Sequence, residues 1–266
     1  MANSKYDYVR NFENPHHLLL NTYIILRLDG RCFTKFAESH DFRKPNDPRA
    51  IHLMNASASA TMRTILDIAI AFGESDEFSF LLPRECALFD RREEKLITTV
   101  VSTFTGWYVF LWPQYFAGGV GGEGEQPLLT PPCFDCRATC YPLAENVRHY
   151  FSWRQVDTHI NNLNNTTFWT LVLKGGLGRQ EAADELRKTS SADKNEILFS
   201  QFGINYNNEP AMYRKGSVWK ERQREEEQET TAVPKLKSKT QRKKEEKRAR
   251  KAKIVIEHVD IIGDEF

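Results

Sequence analysis

The chain is expected to fold as an α+β protein, an antiparallel sheet with two helices on one face, followed by a helical extension. Three observations predict this. Short runs rich in Ile, Leu and Phe occupy residues 24–28, 68–72 and 78–82; two segments of helical period separate and follow them; and a polar stretch of helical character begins at residue 142. With 266 residues, 40% apolar and 12% aromatic, there is material for one large domain or two small ones.

Ile24, Ile25, Leu26 and Leu28 form the first strand and lead into Asp29-Gly30-Arg31. Asn46-Asp47-Pro48 supplies the polar cap and first-turn proline of a helix start. Leu53, Met54, Ala58, Met62 and Ile65 then recur at helical spacing over 50–65. Residues 68–72 make a second strand, and Phe78, Phe80, Leu81 and Leu82 a third, so the acidic stretch between them reads as a hairpin turn carrying Asp76 and Glu77. A second long helix is expected over 91–112, with Leu96, Val100, Thr103, Phe104, Trp107 and Phe110 facing inward. Five glycines within 118–124 mark a surface loop, and 137–141 a fourth strand. This βαββαβ order builds the ferredoxin-like arrangement used by polymerase palms and nucleotide cyclases. Further helices are expected at 145–160, 165–172 and 180–187, separated by Asn-rich and Gly-rich breaks. The predicted organisation is a palm-like catalytic domain over 1–141, a helical extension over 142–218, a charged and disordered linker over 219–253, and a segment over 254–266 that returns to the fold as an edge strand.

A formal net charge of +1 conceals a segregation. Residues 235–253 hold eleven Lys and Arg against two Glu, a local charge of +9, which leaves −8 on the rest. A nucleic-acid partner must therefore meet a local basic patch or this block rather than a general positive field. The polar residues 1–14 lack the apolar stretch of a secretory signal, and nowhere do eighteen apolar residues run together, so a soluble intracellular protein with no membrane partner is expected. Five cysteines, an odd number, point to reduced thiols. Cys133, Cys136 and Cys140 have metal-like spacing, but a structural zinc site takes four ligands and only His149 is near in sequence; unremarkable thiols are the expectation.

The chemistry concentrates in two acidic stretches, Leu28-Asp29-Gly30-Arg31 and Gly73-Glu74-Ser75-Asp76-Glu77-Phe78, each at the exit of an apolar strand. Either alone is an ordinary turn. If the two strands pair side by side, Asp29 and Asp76 converge, and hard oxygen ligands are what Mg²⁺ takes, with substrate phosphates completing its shell. Two ions about 4 Å apart would activate a hydroxyl and stabilise departing pyrophosphate. Gly30 permits a tight turn, after which the amides of Arg31, Cys32, Phe33 and Thr34 could point at phosphate oxygens. A Walker-type glycine-lysine loop does not occur, which excludes a P-loop enzyme.

Six ordered motifs carry a resemblance: Leu28-Asp29-Gly30-Arg31-x-Phe33, Lys44-Pro45-Asn46-Asp47, Gly73-x-Ser75-Asp76-Glu77-Phe78-Ser79-Phe80, Ser152-Trp153-Arg154, Asp157-x-His159-Ile160-Asn161-Asn162-Leu163-x-Asn165-Thr166 and Asn205-Tyr206-Asn207-Asn208-Glu209-Pro210. Together they resemble the eukaryotic tRNA-His guanylyltransferases, from residue 5 to 215 and again at Asp260-Ile261-Ile262-Gly263-Asp264. The resemblance implies 3′-to-5′ addition of one guanylate to the 5′ end of histidine tRNA. ATP first adenylylates the 5′-monophosphate, the 3′-hydroxyl of GTP then displaces AMP, and pyrophosphate is finally removed. It further implies that Asp29 and Asp76, with the Gly30 carbonyl, bridge two Mg²⁺ and that Glu77 orients the site or tunes the metals. By the same resemblance, residues 30–34 and Ser75 cradle a triphosphate, while Asp47 and the 42–44 loop, including Lys44, contact guanine. Arg92 and Lys95, one helical turn apart, suit a second nucleotide's phosphates or the tRNA 5′ end. His159 and Asn161, helped by Lys194 and Asn205, suit the bases of an exposed anticodon. The family assembles as a tetramer, and a cytoplasmic or nuclear location is expected.

Cys32 and Thr34 depart from the family pattern, replacing larger polar residues, and the 118–124 and 235–253 segments are additional. The basic block has the composition of a nuclear localisation signal or of an arm that grips tRNA phosphates. Two other readings compete: a nucleotide cyclase on the same palm, which leaves the His159 and Asn205 motifs without a role, and a non-catalytic tRNA-binding protein. Against the latter stand Asp29, Asp76 and Glu77, since clustered carboxylates repel and persist best around a metal.

Overall fold

The computed structural model describes residues 4–13, 15–116, 126–221 and 254–263. The expected loop at 118–124 and the basic block lie outside them. The structure is α+β and centres on one six-stranded sheet in the order β4-β1-β3-β2-β5-β6, all neighbours antiparallel. The strands are β1 Tyr23–Gly30, β2 Ile70–Glu74, β3 Glu77–Leu82, β4 Phe134–Tyr141, β5 Ser217–Glu221 and β6 Ile254–Glu257. Helix α1 spans Phe33–Ser39, α2 Pro48–Thr64 and α3 Glu93–Phe116. Because α2 joins β1 to β2 and α3 joins β3 to β4, β3 slots between β1 and β2.

Strand alternation divides the apolar runs between two cores. Ile24, Leu26, Leu28, Phe78, Phe80 and Leu82 pack with Leu53, Met54, Ala58, Phe104 and Tyr108 of α2 and α3. Ile25, Leu81 and Phe72 face the opposite way, onto Val147, Tyr150 and Phe151 of α4, which spans Ala144–Leu173. Both faces of the central strands are thus covered, where the sequence suggested helices on one face alone; the near-continuous apolarity of the strands carries that information.

Three further expectations are corrected. The buried stripe of α3 is Leu96, Val100, Phe104, Tyr108, Trp112 and Phe116, every fourth residue, while Phe110 is 68% exposed and Trp107 lies at the edge, its Nε1 donating to Thr64 Oγ1 at 3.3 Å. By length and composition α3 is the one described helix that could cross a bilayer; its apolar stripe is committed to the core instead. Second, α4 is one thirty-residue helix rather than two. Across the expected break Asn162 has a tertiary partner that replaces solvent, its Nδ2 donating to the Tyr206 hydroxyl at 2.9 Å, and just beyond it Asn165 Nδ2 donates to the Pro45 carbonyl at 2.8 Å. Third, the charged linker does not begin at residue 219. Trp219 lies within β5, fully buried, with its ring 5.1 Å from Phe78 and its Nε1 donating to Ser59 Oγ at 2.8 Å. Only two apolar residues in a polar context, Val218 and Trp219, signal that strand. At the sheet edge β6 pairs with β5.

Arg91 pins the segment before β1 to the start of α3. Its buried guanidinium donates to the carbonyls of Leu18, Leu19, Thr22, Arg84 and Cys86, and Phe89, Asp90 and Arg91 all hold positive φ to aim it there. Truncating the largest β5 anchor, Trp219→Ala, should cost about 3–5 kcal/mol in denaturant unfolding, as buried aromatic truncations do, and free Ser59 Oγ of its donor.

Candidate active site

The register that pairs Leu28 with Phe78 sets Asp29 opposite Glu77 and brings the two-residue turn between β2 and β3, Ser75-Asp76, beside Gly30. Ser75 takes φ +48° and donates its hydroxyl to Asp76 Oδ1 at 2.9 Å. Gly30 is needed for the approach: a Cβ there would lie 2.6 Å from Asp76 Oδ2 and 2.6 Å from the Phe33 ring. Burial raises the Asp76 carboxyl to about 6, the Ser75 bond opposes this, and the neighbouring Asp29 charge adds to it. A carboxylate pair without a salt-bridge partner among the described residues fits a divalent cation. Among the described residues no three His, Cys, Asp or Glu cluster as metal ligands, so a cation at Asp29 and Asp76 would complete its shell with backbone oxygen, water and substrate phosphate, the habit of Mg²⁺.

Glu77 faces the α4 side and is held there by Arg154, whose Nε and Nη2 donate to its two oxygens at 2.7 and 3.1 Å. The same guanidinium, 4% exposed, donates to Glu74 at 2.6 Å and Asp157 at 2.8 Å. Burial pushes Glu74 up to about 7, against the pull of Thr158 and Arg154. With both oxygens occupied, Glu77 acts as a strut of the turn. Arg154 stands in a quoted motif but received no role from the sequence; a cation one helical turn from Asp157 and facing an acidic hairpin is the signal that could have found it.

A cavity of about 590 Å³ opens beside the turn, within the size range of small-molecule sites. Phe33 and Thr34 of α1, Phe42 to Asp47, Ala50 and Met54 of α2, Glu74, Ser75 and Asp76, and Asn161, Asn162, Asn165 and Trp169 of α4 line it. Apolar walls with carboxamides around them suit a nucleotide. Lys44 Nζ sits 5.3 Å from the Trp169 ring centre. Phe33 and Thr34 open α1, where the first amides have no partner within the helix and stand available to an anion. The Arg31 amide is not available, since it donates to the Cys133 carbonyl at 2.8 Å, and Cys32 takes φ +56° as the cap of α1.

Several expected roles change. The Asp47 side chain has no exposed surface and accepts from the amides of Arg43 and Arg49 and from the Arg49 guanidinium; these bonds outweigh burial and hold its pKa below the usual value. Its carboxylate shapes the 42–47 loop and caps α2 rather than reading a base. Arg92 and Lys95 stand where α3 begins, at the end of the sheet where β1 starts and β3 finishes, with Arg92 bridged to His17. The single chain does not bring them to Asp29 and Asp76. Asn161 lines the nucleotide-sized cavity, whereas His159 and Asn205 line a separate one of about 530 Å³ with Phe199, Tyr206 and Asn207. Lys194 donates to the carbonyl and hydroxyl of Thr189, both at 2.8 Å, and Asn205 Oδ1 accepts from the Asn207 amide. Burial, then the Arg214 charge, lower the His159 pKa. Cys133, Cys136 and Cys140 are free thiols, Cys136 pushed up to about 12 by burial.

An α+β sheet that carries Asp76 to the wall of a nucleotide-sized cavity, with Asp29 on the neighbouring strand, fits a nucleotidyltransferase. The model described as tRNAHis guanylyltransferase matches residues 6–142, and that of the Thg1 C terminal domain matches residues 145–263. The chain belongs to the tRNAHis guanylyltransferase family. It is 54% identical to the tRNA(His) guanylyltransferase of Neurospora crassa, covering 100% of this chain and 94% of that protein, and 46% identical to that of Schizosaccharomyces pombe, covering 100% and 95%. Among solved structures, the Saccharomyces cerevisiae enzyme matches with a TM-score of 0.74 at 48% identity over 80% of this chain and 92% of that one. A bacterial Thg1-like protein in complex with ATP shares the fold with a TM-score of 0.70 at 18% identity over 96% and 92%.

Arg154→Met should destabilise the protein by about 3–5 kcal/mol, because three carboxylates lose their shared partner. Glu74 titrates higher folded than unfolded, so the folded state binds its proton more tightly and stability falls as pH rises through about 7. Urea unfolding at pH 5.5 and 8.5 should therefore show the larger loss at the higher pH.

Proposed function

We propose that the protein is a tRNA(His) guanylyltransferase working on a polymerase-like palm formed by β1–β4 with α2 and α3, and that the convergence of Asp29 and Asp76 beside Gly30 carries the reaction. The full-length likeness to the fungal enzymes supports the substrate, and the cavity at the Ser75-Asp76 turn supports the nucleotide. ATP and GTP would occupy it in turn: the 5′-phosphate oxygen of the tRNA attacks the α-phosphorus of ATP and releases pyrophosphate, and the 3′-oxygen of GTP then attacks that 5′-phosphorus and releases AMP. Little covalent work falls to the protein; positioning and charge neutralisation do most of it.

When bound, two Mg²⁺ would neutralise developing phosphate charge and sharpen the attacking oxygen. Asp29, Asp76 and the Gly30 carbonyl would hold them. Phe33 and Thr34 amides, with the Ser75 turn, would take the triphosphate oxygens, and Lys44 with the Asp47-ordered loop would frame the base. The 142–218 extension would hold tRNA, with His159 and Asn205 facing the anticodon and Asn161 at the nucleotide. In a homotetramer Arg92 and Lys95 would serve a site from outside their own chain.

Labelled GTP should enter 5′-monophosphorylated histidine tRNA with ATP and Mg²⁺, and Asp29→Ala or Asp76→Ala should lower the rate by roughly 10³-fold. Unchanged rates in both variants would remove the carboxylate pair from the mechanism. Asp76→Asn should raise the metal-free melting temperature at pH 7.5, by roughly 1–2 kcal/mol of stability, because the raised Asp76 pKa means its ionised form is disfavoured in the fold above about 6. The same variant should lose any stabilisation by added Mg²⁺.

A further inference from the structure

A buried hydrogen-bond chain runs from one cavity to the other past α4. Asn46, in the wall of the nucleotide cavity, donates from Nδ2 to Asn162 Oδ1 at 3.0 Å. Asn162 Nδ2 donates to the Tyr206 hydroxyl oxygen at 2.9 Å, and that hydroxyl donates at 3.5 Å to the His159 carbonyl. Tyr206 lines the second cavity, its ring 5.4 Å from the His159 ring. Asn162 and Tyr206 are 9% and 2% exposed, so water does not readily substitute for a missing link.

Each carboxamide has a donor end and an acceptor end, so the chain has only two self-consistent polarities. In the observed one every proton points from the nucleotide cavity toward the His159 carbonyl, and the amide nitrogen of Asn46 is spent on Asn162. The longest and weakest link is the one to that carbonyl. If Tyr206 gives it up and turns its hydroxyl to Asn162, both amides must flip, and Asn46 then offers the nucleotide its nitrogen rather than its oxygen. The two polarities are discrete states that a ligand at either end can bias.

We infer that this relay couples the two cavities: an unpaired RNA base seated against His159 and Tyr206, its N–H donating to the Tyr206 oxygen so that the hydroxyl turns to Asn162, reverses it and so changes the affinity of the Asn46 end for a guanine nucleotide. The inference rests on the reading that the His159 cavity takes RNA. Coupling through a shared two-state element is reciprocal, so the nucleotide changes RNA affinity by the same factor.

The test measures GTP affinity of the full chain by calorimetry, alone and saturated with the anticodon stem-loop of histidine tRNA, which lacks a 5′ acceptor and cannot react. In the wild type the hairpin should shift the GTP dissociation constant by about fivefold or more. Tyr206→Phe keeps the ring among Leu163, Leu198 and Ile204 but removes the hydroxyl, so its shift should fall toward onefold whatever the separate affinities. Asn46→Ala should abolish it from the other end. A wild type that binds the hairpin with unchanged GTP affinity, or a Tyr206→Phe protein that keeps the full shift, overturns the relay and leaves the RNA reading standing. Equal hairpin affinity in wild type and His159→Ala overturns the RNA reading and the relay with it.

Discussion

Acidic side chains crowd the ends of β1, β2 and β3, and the guanidinium of Arg154 is what allows the chain to fold with Glu74 and Glu77 drawn out of water while it also holds the half-exposed Asp157. A planar cation with donors fixed in a fork can satisfy several carboxylates at once, which a lysine could not do with the same geometry. Because Glu74 and Glu77 flank the Ser75-Asp76 turn, clamping them fixes the turn, and the turn fixes Asp76 against Gly30. Among the described residues Asp29 and Asp76 have no salt-bridge partner, and their mutual repulsion adds to burial in raising the Asp76 pKa.

The same helix that supplies Arg154 organises both cavities. Thirty residues at 1.5 Å rise make α4 about 45 Å long, enough to pass from the sheet to the far helices without a joint. Asn161 and His159 point into different cavities, because two positions along a helix turn a side chain to roughly the opposite side. Of its four buried threonines, Thr158, Thr167 and Thr170 return their hydroxyls to carbonyls one turn back, whereas the Thr166 hydroxyl has no partner among the described residues.

Much of this was legible in the residues. The apolar runs and the acids at their ends predicted β1 and the β2–β3 hairpin, since a hairpin and its turn chemistry are local; the approach of Asp29 to Asp76 followed once β1 and β3, far apart in sequence, were taken to pair. Other features turned on partners and placements that spacing alone does not reveal. Asn162 breaks a helix by propensity and continues one here with Tyr206 waiting across the fold. Asp47 looks like a ligand-reading acid until Arg43 and Arg49 close around it. Arg92 and Lys95 have the spacing of a phosphate grip, but spacing says nothing about which end of the sheet a helix starts from.

Gln155 has a consequence of a mechanical kind. Its Nε2 donates to the carbonyls of Lys215 and Val259, and its Oε1 accepts from the amide of Ile261, so one side chain ties down the chain on both sides of the long basic insertion between β5 and β6. A pull along that segment would meet the β5–β6 and β2–β5 ladders first and Gln155 behind them. The next residue back along α4 is Arg154, so tension from outside the catalytic body would be grounded beside the clamp that sets the acidic turn.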